Sequence, residues 1–401
     1  MAGHIAGRRA IAVTATRHYH ASDGTFRKVL PPDRACREMA GLRAIAGLFP
    51  VPHLWGVREV EDGTELVYED LFASWYYRGL LADAINAADR QPSQAVRVQA
   101  LVSAVCDGLL AANEATGSIC RLDECVPALY AARLAPGGRL DCWYRRSPRP
   151  TWVIDGQHID LDDLAARSLV VRGRPLGPGW PANFSAMRSA LCANSRWTTA
   201  ITQGDATEPN IAEPLCWMDF EHAGRNALAG DVANLLWYLL GLGGWLVPTY
   251  QPAVYRRTLR MPVPPVATPT IEHLRITARR VELDYTWNVG AGRRVALATL
   301  LQRLTGDLGS ALGSGGDAFE ALRPFLVLRV LGVVPLGQMS GPHAVACLAK
   351  VAELACPALH LSDWCSFVPS ASVAGREPDC RLRPSVPPWP ESHRSSMEEP
   401  L

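Results

Sequence analysis

The chain has 401 residues and a near-balanced charge, 40 basic against 39 acidic side chains. That length allows two or three domains, and the balance removes the electrostatic case for nucleic acid or an anionic membrane surface as a partner. Eleven cysteines, an odd number without any C-x-x-C pair, read as reduced thiols of a cytoplasmic protein rather than a disulfide frame or a zinc site.

The opening MAGHIAGRRAIAVTATRHYH lacks the uninterrupted apolar run of a signal peptide. IAVTATRHYH, ASDG and TFRKVL carry alternating and β-branched residues around Asp23-Gly24 and predict a hairpin whose second strand delivers Lys28. DRACREMAGLRAIAGLF predicts a helix with Asp33 as N-cap, an apolar stripe of Cys36, Met39, Leu42 and Ile45, and Glu38 in its early turns. VPHLWGVREVEDGTELVYEDL predicts two more strands joined by Glu61-Asp62-Gly63. Residues 1–72 therefore read as a small α+β lobe, too small to be stable without support from the rest of the chain.

Residues 73–368 read as a larger, mostly helical lobe. AVRVQALVSAVCDGLLAANEATG has apolar residues at helical spacing and a stop at Gly117. The segment 136–181, rich in Gly, Pro, Arg and Trp, reads as an insertion on the surface of that lobe, either lining a substrate cleft or decorating it; TWVIDGQHIDL is its one short hairpin. GDVANLLWYLLGLGGWL predicts a long buried helix with Trp237 and Trp245 in the core; interrupted by Asn234 and glycines, it is too short for a membrane span. Several further helices are expected between about Ile271 and Ala358, and the Pro- and Ser-rich end, 369–401, reads as a disordered tail.

The chemistry is concentrated in QGDATEPNIAEPLCWMDFE, Gln203 to Glu221. Phosphoryl transfer needs a carboxylate beside the attacking hydroxyl, hard-oxygen ligands for magnesium, and a cation on the phosphates. Asp205, after Gly204 on a loop, can orient a hydroxyl and take its proton. Asn210 can return its amide oxygen toward a metal, and the apolar run LCWMDF carries Asp219 as a second ligand. His222 and the arginines Arg145, Arg146 and Arg149 read as a bystander and a solvated loop face, with attraction of an anionic substrate the alternative for the arginines. GLGG at 241–244 has no strand before it and is no dinucleotide fingerprint.

The order Q-G-D-A-T-E-P-N-I followed by W-M-D-F-E resembles the aminoglycoside phosphotransferase and choline kinase-like family, whose loop is typically H-G-D-x-x-x-x-N before I-D-[FW]-E. The resemblance covers roughly Ile11 to Leu240 and implies a two-lobed protein kinase-like α+β fold using ATP and Mg2+. It implies Asp205 as catalytic base, Asn210 and Asp219 as magnesium ligands, Lys28 on the phosphates, Glu38 as the partner of Lys28, and backbone from Glu69 to Leu71 at the adenine. Asp231 matches the acid that opens the next helix, a structural position. Taken alone, Lys28 also reads as a solvated strand lysine and Glu38 as an exposed helix charge.

Three departures stand out. Gln203 replaces the usual histidine; only nine positions separate Asn210 from Asp219, forcing a tight turn at Glu213-Pro214; and the N-terminus has no Gly-rich phosphate loop. Either HASDG takes that loop's role, or the hairpin is the second and third strands and the first is missing. The expected function is transfer of the γ-phosphate of ATP to a hydroxyl of a small molecule, an aminoglycoside, amino alcohol, sugar or related metabolite. The rival is a pseudokinase-type binding module without turnover. A kinase acting on protein side chains fits less well, since no activation segment comes after Asp219.

Overall fold

The computed structural model describes residues 11–13, 16–126, 129–146, 149–176, 179–252, 266, 268–313 and 318–356. The expected tail, 369–401, lies outside the described residues.

Short strands with tight turns build a five-stranded antiparallel sheet. Its strands are β1 (Ile11–Val13), β2 (Thr16–His20), β3 (Thr25–Leu30), β4 (Leu54–Val60) and β5 (Gly63–Glu69), in the order β1-β2-β3-β5-β4. The bend around Asp23-Gly24 joins β2 to β3, so the hairpin read from the sequence is the second and third strands. A three-residue first strand precedes it, and HASDG is the β2–β3 turn rather than a loop between the first two strands. The β1–β2 connection, Thr14-Ala15, lies outside the described residues. Lys28 sits on β3 in register with His18 on one side and Leu66 on the other, which places it in the middle of the sheet.

Helix α1 (Pro32–Ile45) differs from its prediction in two details. Pro31, not Asp33, is the N-cap; a proline at the first helical position has no N–H to satisfy, so a side-chain cap is dispensable there. Asp33 lies in the first turn and pairs with Arg37 at 3.0 Å. The buried face is Ala35, Glu38, Leu42 and Ile45, whereas Cys36 is exposed and Met39 half-buried. The face is chosen by what the helix packs on, the sheet and the chain after Asp219, and Glu38 is drawn inside with it.

The larger lobe opens with β6 (Gly79–Leu80), α2 (Leu81–Arg90) and α3 (Ala95–Thr116), which stops at Gly117. β7 (Ser118–Arg121), α4 (Ala131–Leu134) and α5 (Arg139–Tyr144) come next. The predicted hairpin is present as β8 (Thr151–Ile154) and β9 (Gln157–Asp160), then come α6 (Leu161–Ala165), β10 (Ser168–Val171) and β11 (Arg174–Leu176). This stretch is more than a surface insertion. Tyr144, Trp152, Ile154, Ile159 and Leu161 are buried in the main core, and β10 pairs in parallel with the distant strand Arg280–Thr286.

α7 (Trp180–Ala190) and β12 (Arg196–Thr202) lead to the central stretch, where β13 (Ile211–Glu213) and β14 (Cys216–Trp217) form a hairpin and β15 (Gly224–Ala227) returns to pair with β12. The expected tight turn is there, at a cis Glu213-Pro214 peptide bond. In place of one long helix there are two, α8 (Leu228–Leu239) and α9 (Leu242–Tyr250), bent by 73°. Trp237 and Trp245 are fully buried in them, as expected. The region from Ile271 is not wholly helical: it begins with the hairpin β16 (Thr270–Ile276) and β17 (Arg280–Thr286), whose burial alternates as on a strand. Helices α10 (Ala291–Leu304), α11 (Asp307–Ala311), α12 (Ala318–Val333) and α13 (Gly341–Ala355) complete the lobe. The two halves join where Phe49 meets Trp217, ring centroids 5.4 Å apart, and where the Trp217 N–H donates to the Pro50 carbonyl at 2.8 Å.

Candidate active site

Lys28 is the junction between the halves. Its Nζ lies 2.8 Å from Glu38 Oε1 on α1 and 2.5 Å from Asp219 Oδ1 beyond β14. Lys28 and Glu38 are 5% and 1% exposed, so neither is a solvated surface charge. Burial works against the ammonium, but the two carboxylates outweigh it and raise the Lys28 pKa. Burial pushes Glu38 up against the pull of Lys28. Around Asp219 the surrounding protein also disfavours charge, yet Lys28 prevails and holds that carboxyl well below the usual carboxylate range. The Asp219 side chain is still 44% exposed, so it remains reachable from solvent.

α1 is held against this site at backbone distance. A Cβ on Gly41 would stand 2.0 Å from the Phe220 carbonyl oxygen, so only glycine allows the approach. Gly41→Ala is therefore expected to lower stability by about 1–3 kcal/mol through overpacking and to weaken nucleotide binding by displacing Glu38. Urea denaturation together with nucleotide titration checks both; an unchanged protein would show that α1 has room to move.

Asp219 itself has φ +62°, a left-handed conformation that aspartate tolerates better than most residues but still at some strain. Gln203 maintains it. Its Nε2 donates to the Met218 and Asp219 carbonyls at 2.8 and 2.6 Å, and its Oε1 accepts the Asp205 N–H at 2.8 Å. Glutamine thus supplies the brace expected at the histidine position. Asn210 closes the loop, donating from Nδ2 to the Asp205 carbonyl at 3.0 Å and to Asp205 Oδ2 at 3.3 Å. Its Oδ1 accepts no hydrogen bond among the described residues. Gly204 has φ +82°, and a side chain there would meet the His222 carbonyl.

Other residues of the site have no signal in the sequence. Arg329 on α12 reaches Asp205 Oδ1 at 3.2 Å across 124 positions of chain. Asn234 on α8 donates to the Gly204 carbonyl at 2.9 Å. Arg293 on α10 pairs with the buried Glu208 in the same loop at 2.5 Å, and Arg34 on α1 pairs with Glu221. Each comes from an element far off in sequence, which no local pattern reveals.

Glu69 ends β5, and Leu71 opens a short 3-10 turn capped by Asp70, which accepts from Phe72 N at 3.0 Å. The Glu69 N–H is already donated to His53 and the Asp70 N–H to Gly24. Of these three residues, only Leu71 keeps an N–H without a hydrogen-bond acceptor among the described residues. A separate small apolar cluster lies here: Leu71, Leu80, Ala212 and Cys216, with Tyr77 and Met218 against them.

Asp231 on α8 is fully buried, and burial, aided by the Asp205 charge and opposed by the Thr202 side chain, pushes it up to about 7. Its folded pKa lies above its unfolded value of about 4. Its contribution to stability is therefore complete below that lower value and lost as pH rises through about 7. Urea denaturation is expected to show a fall in stability between about pH 4 and pH 7 that Asp231→Asn reduces. An identical fall in the variant would count against this assignment.

With the geometry in place, the architecture is a two-lobed α+β fold: a β-rich first lobe with one helix, then a mostly helical lobe carrying the loop around Asp205. No family model and no curated protein sequence matches the chain. Among solved structures it is similar to a glucosamine kinase in complex with glucosamine, ADP and inorganic phosphate, at 15% identity over 86% of this chain and 74% of that one, with a TM-score of 0.42. It is also similar to a thermostable variant of the aminoglycoside phosphotransferase APH(4)-Ia with AMP-PNP and hygromycin B, at 12% identity over 87% and 94%, TM-score 0.44. A choline/ethanolamine kinase family protein from Mesorhizobium loti matches at 13% identity over 88% and 94%, TM-score 0.35. These are likenesses of fold, and the functional reading rests on the residues above.

Proposed function

We propose that the protein is an ATP-dependent phosphotransferase that moves the γ-phosphate to a hydroxyl of a small molecule. One observation carries this: Glu38, Lys28 and Asp219 form a continuous ion-paired bridge between the halves, and Gln203 ties Asp219 to Asp205 and thence to Asn210. In this reading Lys28 takes the phosphates and Glu38 keeps it oriented. Asp205 orients the acceptor hydroxyl and takes its proton. The Leu71 N–H is the free donor for the adenine edge, and the cluster of Leu71, Ala212, Cys216 and Met218 covers the adenine face.

The donor set suits magnesium, which takes one or two carboxylates with phosphate oxygens and waters. Asp219 is ionised and accessible, and the Asn210 Oδ1 accepts no hydrogen bond among the described residues. Among the described residues no group of three or more His, Cys, Asp or Glu would hold a metal alone. When bound, magnesium supplies neutralisation of the charge on the β- and γ-phosphates. A thermal-shift titration with ATP and magnesium tests the reading: stabilisation that needs both is expected, and its absence removes the kinase assignment. Release of ADP across a panel of hydroxylated metabolites then reports turnover; nucleotide binding with no acceptor-dependent release would favour a binding module instead.

A further inference from the structure

Beside Asp205 lies a group of hydrogen-bond donors that the proposed reaction does not use. Arg329 is 8% exposed; one Nη reaches Asp205, while its Nε has no partner among the described residues. Arg133 on α4 is 9% exposed, and neither its Nε nor its Nη1 has a partner among them. It packs against Gly332, one turn on from Arg329 along α12. Arg139, at the more exposed rim, donates to the Gly332 carbonyl at 2.8 Å. A small cavity bordered by Tyr130, Asn234, Phe325 and Arg329 lies beside Arg329, and the buried Tyr130 hydroxyl is also without a partner among the described residues.

Charge does not balance in this corner. Among the described residues the one acid that these three guanidiniums contact is Asp205, which Arg329 already holds. Burial, with the neighbouring Arg329 and Arg139 charges, pushes the Arg133 guanidinium down to about 9, so it stays charged at neutral pH against its surroundings. Buried cations without a counter-charge are strongly unfavourable, and unpaired donors of this kind call for an anion to accept from them.

We propose that the acceptor is a small hydroxylated anion, a carboxylate or a phosphate, whose charge is taken by Arg133 and Arg329 while its hydroxyl meets Asp205. The inference rests on the phosphotransferase reading and deepens it: it selects anionic acceptors over the amino alcohols and aminoglycosides that the sequence resemblance suggests. The step balances as a simple transfer. The acceptor oxygen bonds to the γ-phosphorus, the bond from that phosphorus to the β–γ bridging oxygen breaks, ADP leaves, and the hydroxyl proton passes to Asp205.

The test uses the full chain loaded with magnesium and AMP-PNP, so that the nucleotide site is filled, and titrates glucose 6-phosphate, gluconate, glucose and glucosamine by thermal shift. At least one of the two anions is expected to bind about tenfold or more tightly than the neutral sugar and the amine, and which of them does so separates phosphate from carboxylate. Arg133→Met is expected to fold, since the arginine it replaces has no partner among the described residues, and to lose about tenfold or more in anion affinity; Arg133→Lys, which keeps the charge, is expected to keep part of it. Glucose or glucosamine binding as tightly as both anions, no response to either anion, or an unchanged anion affinity in Arg133→Met would each overturn the proposal. Failure of magnesium and AMP-PNP to stabilise the wild type overturns the phosphotransferase reading and this inference with it, whereas nucleotide binding without an anion preference overturns this inference alone.

Discussion

Asp219→Ala is expected to abolish the magnesium-dependent part of stabilisation by ATP while leaving a folded protein. The two effects separate because of the charge count at Lys28. In the wild type one ammonium serves two carboxylates, at 2.8 and 2.5 Å. Removing Asp219 leaves a one-to-one buried pair of Lys28 with Glu38, which is not left uncompensated, so the stability loss should be near 1 kcal/mol, the worth of an ordinary hydrogen bond. The metal has no such reserve: without Asp219 the remaining protein ligand is the amide of Asn210, and magnesium held by protein through a single neutral oxygen binds poorly. The contrasting variant is Lys28→Ala, which strands two acids together and should destabilise by about 3–5 kcal/mol. Thermal shifts with and without magnesium, on wild type and both variants, distinguish these. Magnesium-dependent stabilisation that survives in Asp219→Ala would move the metal site elsewhere.

The second large effect is on turnover. Asp205→Asn keeps the size of the side chain but cannot take a proton, and ADP release in the presence of an acceptor is expected to fall about 10²–10⁴-fold, the usual range for a positioned general base. Nucleotide binding should be nearly unchanged, because Asp205 stands on the acceptor side of the Gln203 brace, not in the Lys28 bridge. Loss of the carboxylate also removes the only acid that Arg329 contacts among the described residues. Some loss of stability, about 1.5–3 kcal/mol for a charged hydrogen bond, is therefore expected and must be measured alongside. A variant that releases ADP as fast as wild type would refute the base assignment.

Local patterns recovered the elements whose causes are local. The Asp23-Gly24 bend, the strands around Glu61-Asp62-Gly63, the α3 stop at Gly117 and the 151–160 hairpin all depend on residues within a few positions of each other. The failures share a cause as well. The single helix expected across residues 230–246 is two because the chain bends between Leu239 and Leu242 to keep both pieces in the core. The 136–181 segment reads as a surface insertion because its apolar residues are spread among Gly and Pro; β10 acquires its place only by pairing with β17, more than a hundred positions later.

The same division runs through the site. Sequence alone placed Asp205, Asn210 and Asp219 in one short stretch, a loop and a hairpin, whose local contacts run through Gln203 and Asn210. It also pointed to Gln203 as the histidine substitute, and the contacts of that side chain agree. Tertiary structure decided everything that depends on which distant element packs alongside. Lys28 and Glu38 also read as solvated charges until α1 and β3 close on Asp219, 191 positions from Lys28, and bury them. The arginines beside Asp205 come from α4 and α12 and share no spacing with the motif. Close packing of helices, not chain proximity, sets their charge beside Asp205, and so the character of that corner is a property of the fold.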